Sequence, residues 1–208
     1  MSNPRLLIDN NSIKIIDNVK NIPNNNLFAI VEPHLYPDWQ NCLRLERKDE
    51  FLIPLFENTP FEHIEYGPVL IDLSYEPEAK KAYIAHSEEM PSAILFTTTD
   101  IVRVSKLASL LKGRLIANTE SAQALFRFYD PRMMLPLLST ISAEERAQLF
   151  PSINSIYWYS HHWLEAKLAP HTKGSTSNNQ TYALNINIEK QQHIQIILDK
   201  WLNGAVER

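Results

Sequence analysis

Apolar residues fall along this chain in two patterns. Short continuous runs, bounded by turn formers, mark buried strands. They are Leu27–Val31 (LFAIV) between Asn24–Asn26 and Pro33, Pro68–Leu73 (PVLIDL) opened by Gly67-Pro68, Ala93–Thr98 (AILFTT), and the aromatic-rich Ser155–Ser160 (SIYWYS). Helical spacing is clearest at Ile101, Val104, Leu107, Ala108 and Leu111, with Thr99 or Asp100 as cap and Gly113 as stop. Arg103, Lys106 and Lys112 lie off that stripe and read as a solvated face. Pro37 and Asp38 open a helix with Trp39, Cys42, Leu43 and Leu45 as its apolar positions, and Pro77–Glu88 reads as a charged, exposed helix.

Arg114–Asn118 and Ala124–Tyr129 predict an antiparallel hairpin across Thr119–Gln123, which makes the sheet mixed. A helix follows from Pro131 to Ser139. Another starts at Ser142, where Ser142 and Glu145 have capping-box spacing. Phe51–Phe56 contains Pro54 and reads as irregular or as a short helix. In the Asn-rich start, Leu6–Ile8 and Ile13–Ile16 are candidates for an edge strand or hairpin.

Past the polar loop His171–Thr181, Tyr182, Leu184, Ile186 and Ile188 alternate with period two. An amphipathic helix carrying Ile194, Ile197, Leu198 and Trp201 then runs to Gly204. Strands alternating with helices predict an α/β (α+β) fold, a mixed β-sheet with flanking helices and a small C-terminal strand–helix appendage.

Composition narrows the chemistry. The 208 residues carry a net charge of −4, which argues against a nucleic-acid partner. Basic residues cluster only briefly, at Arg44, Arg47 and Lys48 and at Lys80 and Lys81. Four glycines leave neither a G-x-G-x-x-G loop nor a P-loop. The single cysteine, Cys42, reads as a partly buried core residue and fits a cytoplasmic protein. The first residues lack a long apolar core and a basic n-region, and no run approaches about 20 apolar residues, so neither a signal peptide nor a membrane segment is expected. His161, His162 and His171 have poor zinc spacing, and neither H-E-x-x-H nor G-x-S-x-G occurs. The expectation is no catalytic residue, no cofactor and no metal.

One stretch is denser in charge than its surroundings. Phe126–Arg132 (FRFYDPR) sets Arg127, Tyr129, Asp130 and Arg132 around Pro131, between hydrophobic runs. Pro131 forces Asp130 to be extended, so Asp130 is an N-cap followed by a proline at the first helical position. If the strand continues to Tyr129, Arg127 and Tyr129 share one face and Phe126 and Phe128 the other. The arginines then pair with Asp130, or with an acid elsewhere, to brace a strand–helix corner. A partner-binding corner and an anion site are the alternatives.

These residues carry a resemblance. In order, the chain has LFAIVEP (Leu27–Pro33), PLFENTP (Pro54–Pro60), YGPVLIDL (Tyr66–Leu73), FRFYDPR (Phe126–Arg132) and INSIYW (Ile153–Trp158). This series resembles the effector chaperones, or adaptors, of the bacterial type VI secretion system, a family long catalogued only as a domain of unknown function. Asn58 stands where that family usually has glycine, and asparagine tolerates the left-handed geometry a turn there needs.

The resemblance implies a cytoplasmic, non-enzymatic protein. It would bind a cognate toxic effector, usually encoded nearby, and help load it onto the valine-glycine-repeat spike protein. It also implies a domain over residues 27–160, between an N-terminal extension of 1–26 and a variable region of 161–208. Trp158, Ile194, Ile197 and Trp201 are the candidate partner-binding residues, with Trp201 packing on its own domain as the plainer reading. Competing readings are an immunity protein, a small anion-binding enzyme using Arg127 and Arg132, and a structural subunit of the secretion machine.

Overall fold

A computed structural model describes residues 13–17, 19–43, 51–74, 76–98, 101–168 and 182–206. Its centre is a seven-stranded antiparallel sheet, ordered β1-β9-β8-β5-β2-β4-β3. The strands are β1 (Ile13–Ile15), β2 (Leu27–Val31), β3 (Leu52–Pro54), β4 (Val69–Asp72), β5 (Ala93–Thr98), β8 (Ile153–Ser160) and β9 (His162–Lys167). A second, three-stranded sheet joins β6 (Ile116–Asn118) to β7 (Gln123–Leu125) as the expected hairpin, with β10 (Leu184–Asn185) parallel to β6. The fold is thus α+β, and strand directions mix only in the small sheet.

Among the described residues six α-helices flank the sheets: α1 (Trp39–Leu43), α2 (Pro77–Glu89), α3 (Val104–Lys112), α4 (Pro131–Thr140), α5 (Ala143–Leu149) and α6 (Ile188–Val206). Both faces of the main sheet are covered. Phe28, Ile30, Phe96, Ile156 and Trp158 point into a core shared with α3, α4, α5 and α6. Leu27, Ala29, Val31, Leu95 and Tyr157 point into a second core with α1 and α2. Two dry faces explain why the strands are continuous apolar runs rather than alternating ones.

Several local expectations are corrected. The chain must climb from β5 to the helical layer, so α3 begins at Val104, and Ile101 is 91% exposed instead of facing the core. Phe51–Phe56 contains edge strand β3, where Pro54 costs no central ladder bond. Cys42 is exposed, because Trp39 and Leu43, one turn apart, are the residues of α1 that turn inward. One face of α2 is buried through Ala79, Lys80, Tyr83 and Ser87.

The predicted strand Ala124–Tyr129 ends at Leu125, and residues 126–130 form a bend. The period-two stretch at Tyr182–Ile188 yields only the two-residue β10, and α6 continues past Gly204. Thr99, Asp100, Leu45, Leu6–Ile8, the Arg44–Lys48 cluster and the 171–181 loop lie outside the described residues.

The main sheet extends beyond the expected 27–160 domain on both sides. β1 pairs with β9, and β9 pairs with β8 through a reversal at His161 (φ 62°). Two family-pattern turns have specific causes. Asn58 does adopt left-handed geometry (φ 56°). Gly67 lies so close to the Phe56 ring that a Cβ there would sit 2.5 Å from it.

Candidate functional site

The charged stretch folds as a compact corner. Phe126 N–H donates to Leu115 O (2.8 Å), a last backbone bond beyond the β6–β7 rungs, and the chain then bends, with Asp130 N–H donating to Arg127 O (3.1 Å). Phe128 is fully buried and meets Phe150 and Tyr129 edge-on, at 6.0 and 5.4 Å between ring centroids. That aromatic anchor fixes the bend, and Pro131 starts α4 immediately after it.

Asp130 is the cap that the sequence predicts. Its Oδ1 accepts from Arg132 N–H at 3.0 Å. The same carboxylate holds the Arg132 side chain, through Nε (2.9 Å) and Nη2 (2.6 Å). Arg127 turns the other way. Its Nη2 donates to both carboxylate oxygens of Glu32 and lies 3.7 Å from Asp130 Oδ2.

Glu32 directly follows β2, where its N–H donates to Ser92 O and its carbonyl accepts from Leu35 and Tyr36. The corner therefore ties the end of β2 to the start of α4. Of the five residues the sequence singles out here, Arg127, Tyr129, Asp130 and Arg132 come together, and buried Pro131 opens the helix. Glu32 is the member that sequence reasoning did not single out. Its one signal is its place as the acid closing the opening strand.

The electrostatics follow from this pairing. Burial works against the charged form of Arg127, but the hydrogen bond and charge of Glu32, with Asp130 and Tyr129, outweigh it and raise the pKa. The Asp130 hydrogen bond likewise raises Arg132. Burial, aided by Glu32, pushes the Tyr129 phenol well above its usual value although Arg127 opposes it. A phenol held protonated is no base, and both arginines are firmly charged. As chemistry, the arrangement braces and offers a charged surface. Among the described residues, no group of three or more His, Cys, Asp and Glu side chains could hold a metal ion.

Beside the corner lies a groove of about 650 Å³. One wall is α2 and its exit (Glu88, Glu89, Pro91) with the start of α4 (Asp130, Arg132, Met133). The other is the β8–β9 reversal (Tyr159, Ser160, His161) with Leu198 and Trp201 of α6. Trp201 Nε1–H donates to Ser160 Oγ at 2.8 Å, and Trp163 Nε1–H donates to Glu88 Oε1 at 2.8 Å.

The four candidate partner-binding residues occupy different settings. Trp158 is fully buried in the core, Ile197 is buried and Ile194 is half-buried. Trp201 alone reaches the groove, while most of its ring packs on the protein.

The order of these pieces, from the strand closing in Glu32 to the FRFYDPR corner, has a counterpart among known families. The profile of a family described as a domain of unknown function (DUF4123) matches residues 27–148, more than half of the chain. The chain belongs to that family. No curated protein and no solved structure matches it significantly. The DUF4123 match contains Glu32, Arg127, Asp130 and Arg132 and one wall of the groove. Tyr159–His161, Leu198 and Trp201, the other wall, fall outside it. Among the described residues no helix is long and apolar enough to cross a membrane.

Proposed function

We propose that this DUF4123 protein is an effector chaperone, or adaptor, of a type VI secretion system. It acts in the cytoplasm of the producing cell, binds a cognate toxic effector and helps load it onto the valine-glycine-repeat spike protein. It catalyses no reaction. The observation that carries this reading is the corner itself. The charged groups of FRFYDPR are spent on one another and on Glu32, joining two parts of the fold beside an open groove. An enzyme built on the same residues needs a base or nucleophile aimed at a bound substrate. Here the hydroxyl of the corner's own Tyr129 is buried and held protonated.

Co-expression with the protein encoded beside its gene tests the reading. A chaperone forms a stable complex with that protein and raises its soluble yield. Deletion should stop delivery of that one effector while leaving the secretion machine assembled. A sister cell exposed to the toxin should gain no protection from this chain, whereas an immunity protein would protect it.

A further inference from the structure

The charges around the groove do not balance. Glu32 is matched by Arg127 and Asp130 by Arg132. Glu88 and Glu89, at the end of α2, have no ion pair among the described residues. Both lie where the carbonyl end of a 13-residue helix adds further negative potential. Glu88 is also held in place. The Trp163 indole occupies its Oε1 without neutralising it, and Tyr159 packs edge-on against the same indole at 5.8 Å between centroids. Beside this acidic rim, Met133 on the same wall and Leu198 and Trp201 on the other supply apolar surface, with the Trp201 ring oriented by its bond to Ser160.

We infer that this groove is the docking site for a segment of the partner protein that carries Lys or Arg beside aliphatic or aromatic side chains. The basic group would meet Glu88 and Glu89, and the apolar groups would cover Met133, Leu198 and Trp201. A fixed carboxylate and a fixed indole lower the ordering cost of binding. The groove opens to solvent and keeps its unpaired charge on one rim, which suits a length of chain more than an enclosed small molecule. A second copy is a poor occupant, because a chain of net charge −4 meets its own acidic rim. The two walls divide the work. One lies within the DUF4123 match, and the other, with Leu198 and Trp201, lies outside it and is free to differ with the partner. The inference rests on the chaperone reading for the identity of the bound protein.

The test uses the full chain co-expressed with the effector encoded beside its gene. E88K/E89K should weaken the complex about tenfold near physiological salt, and high salt should weaken the wild-type complex in the same direction. E89K alone leaves the Glu88–Trp163 bond intact and should show a smaller loss in the same sense, with an unchanged melting temperature. K167E, at the opposite end of β9, should bind as wild type. A photo-crosslinking residue at position 89 should capture an effector segment containing Lys or Arg. A complex that forms normally but is unaffected by E88K/E89K overturns the groove and leaves the chaperone reading standing. So does a cross-link to an acidic segment or to a second copy. A wild-type chain that holds no effector overturns both.

Discussion

Arg127 and Glu32 are bonded to each other across 95 residues of sequence, the guanidinium reaching both oxygens of the carboxylate. Neither residue is near the other until β2 and the bend before α4 are both in place, so the pair reports on tertiary structure alone. Glu32 is well covered while Arg127 is 40% exposed, which limits what the contact contributes. A double-mutant cycle with Glu32→Ala and Arg127→Ala should give a coupling of about 1–2 kcal/mol in urea unfolding. A coupling near zero would mean the pair is ornamental.

Asp130 serves two neighbours, and substitutions separate them. Asp130→Asn keeps a good cap and gives up the charge that holds Arg132. Asp130→Ala gives up both. The cap alone should appear as a difference of about 1 kcal/mol between the two variants, with alanine the less stable. Equal stabilities would show that the side chain is not capping α4 in solution.

Lys80 is a buried cation with no carboxylate partner among the described residues. Its Nζ donates to Ile22 O, to Lys20 O at 3.3 Å and to Asn24 Oδ1 at 2.9 Å, pinning the segment before β2 onto α2. Lys80→Met keeps the stem and strands three acceptors, so unfolding should become easier by about 2–4 kcal/mol. Lys80→Arg should not restore the wild-type value, because a planar fork does not match this acceptor set.

His86 links stability to acidity. Its ring stacks on Tyr36 at 3.3 Å between centroids, and its buried Nε2 has no hydrogen-bond partner among the described residues. Burial lowers its pKa from 6.5, against an opposing pull from Glu89. A depressed folded-state pKa means that this stability is complete above 6.5. It is lost as the pH falls from there through the folded value. His86→Phe keeps an aromatic ring on Tyr36 and should flatten the acid-side decline in melting temperature. An unchanged slope would place the titration elsewhere.

The residues show why some of this architecture is legible in sequence and some is not. β2, β4, β5 and β8 are evident because both their faces are buried, so their runs are unbroken. The Asp130 cap and the Ser142–Glu145 box are local devices spanning three and four residues, and both form. β9 is not legible in the sequence, because His162, Glu165 and Lys167 interrupt its apolar content. Glu165 is nevertheless buried, where the Tyr157 hydroxyl and Lys14 compensate it. The helical stripe overreached at Ile101, since periodicity cannot say where a chain leaves the sheet. Glu32 eluded sequence reasoning because its partner is set by tertiary structure, and the surplus charge of Glu88 and Glu89 emerges only once neighbouring pairs are assigned in space.

The strand order has a consequence in time. Among the described residues β1 finds its one sheet partner in β9, with Ile13 opposite Ala166, so the first strand described pairs with the last of its sheet to be synthesised. A growing chain therefore carries an unclaimed β1 until the rest of its sheet has emerged. Amides of Lys14 and Ile16, which face β9, should be among the last to become protected on refolding from denaturant.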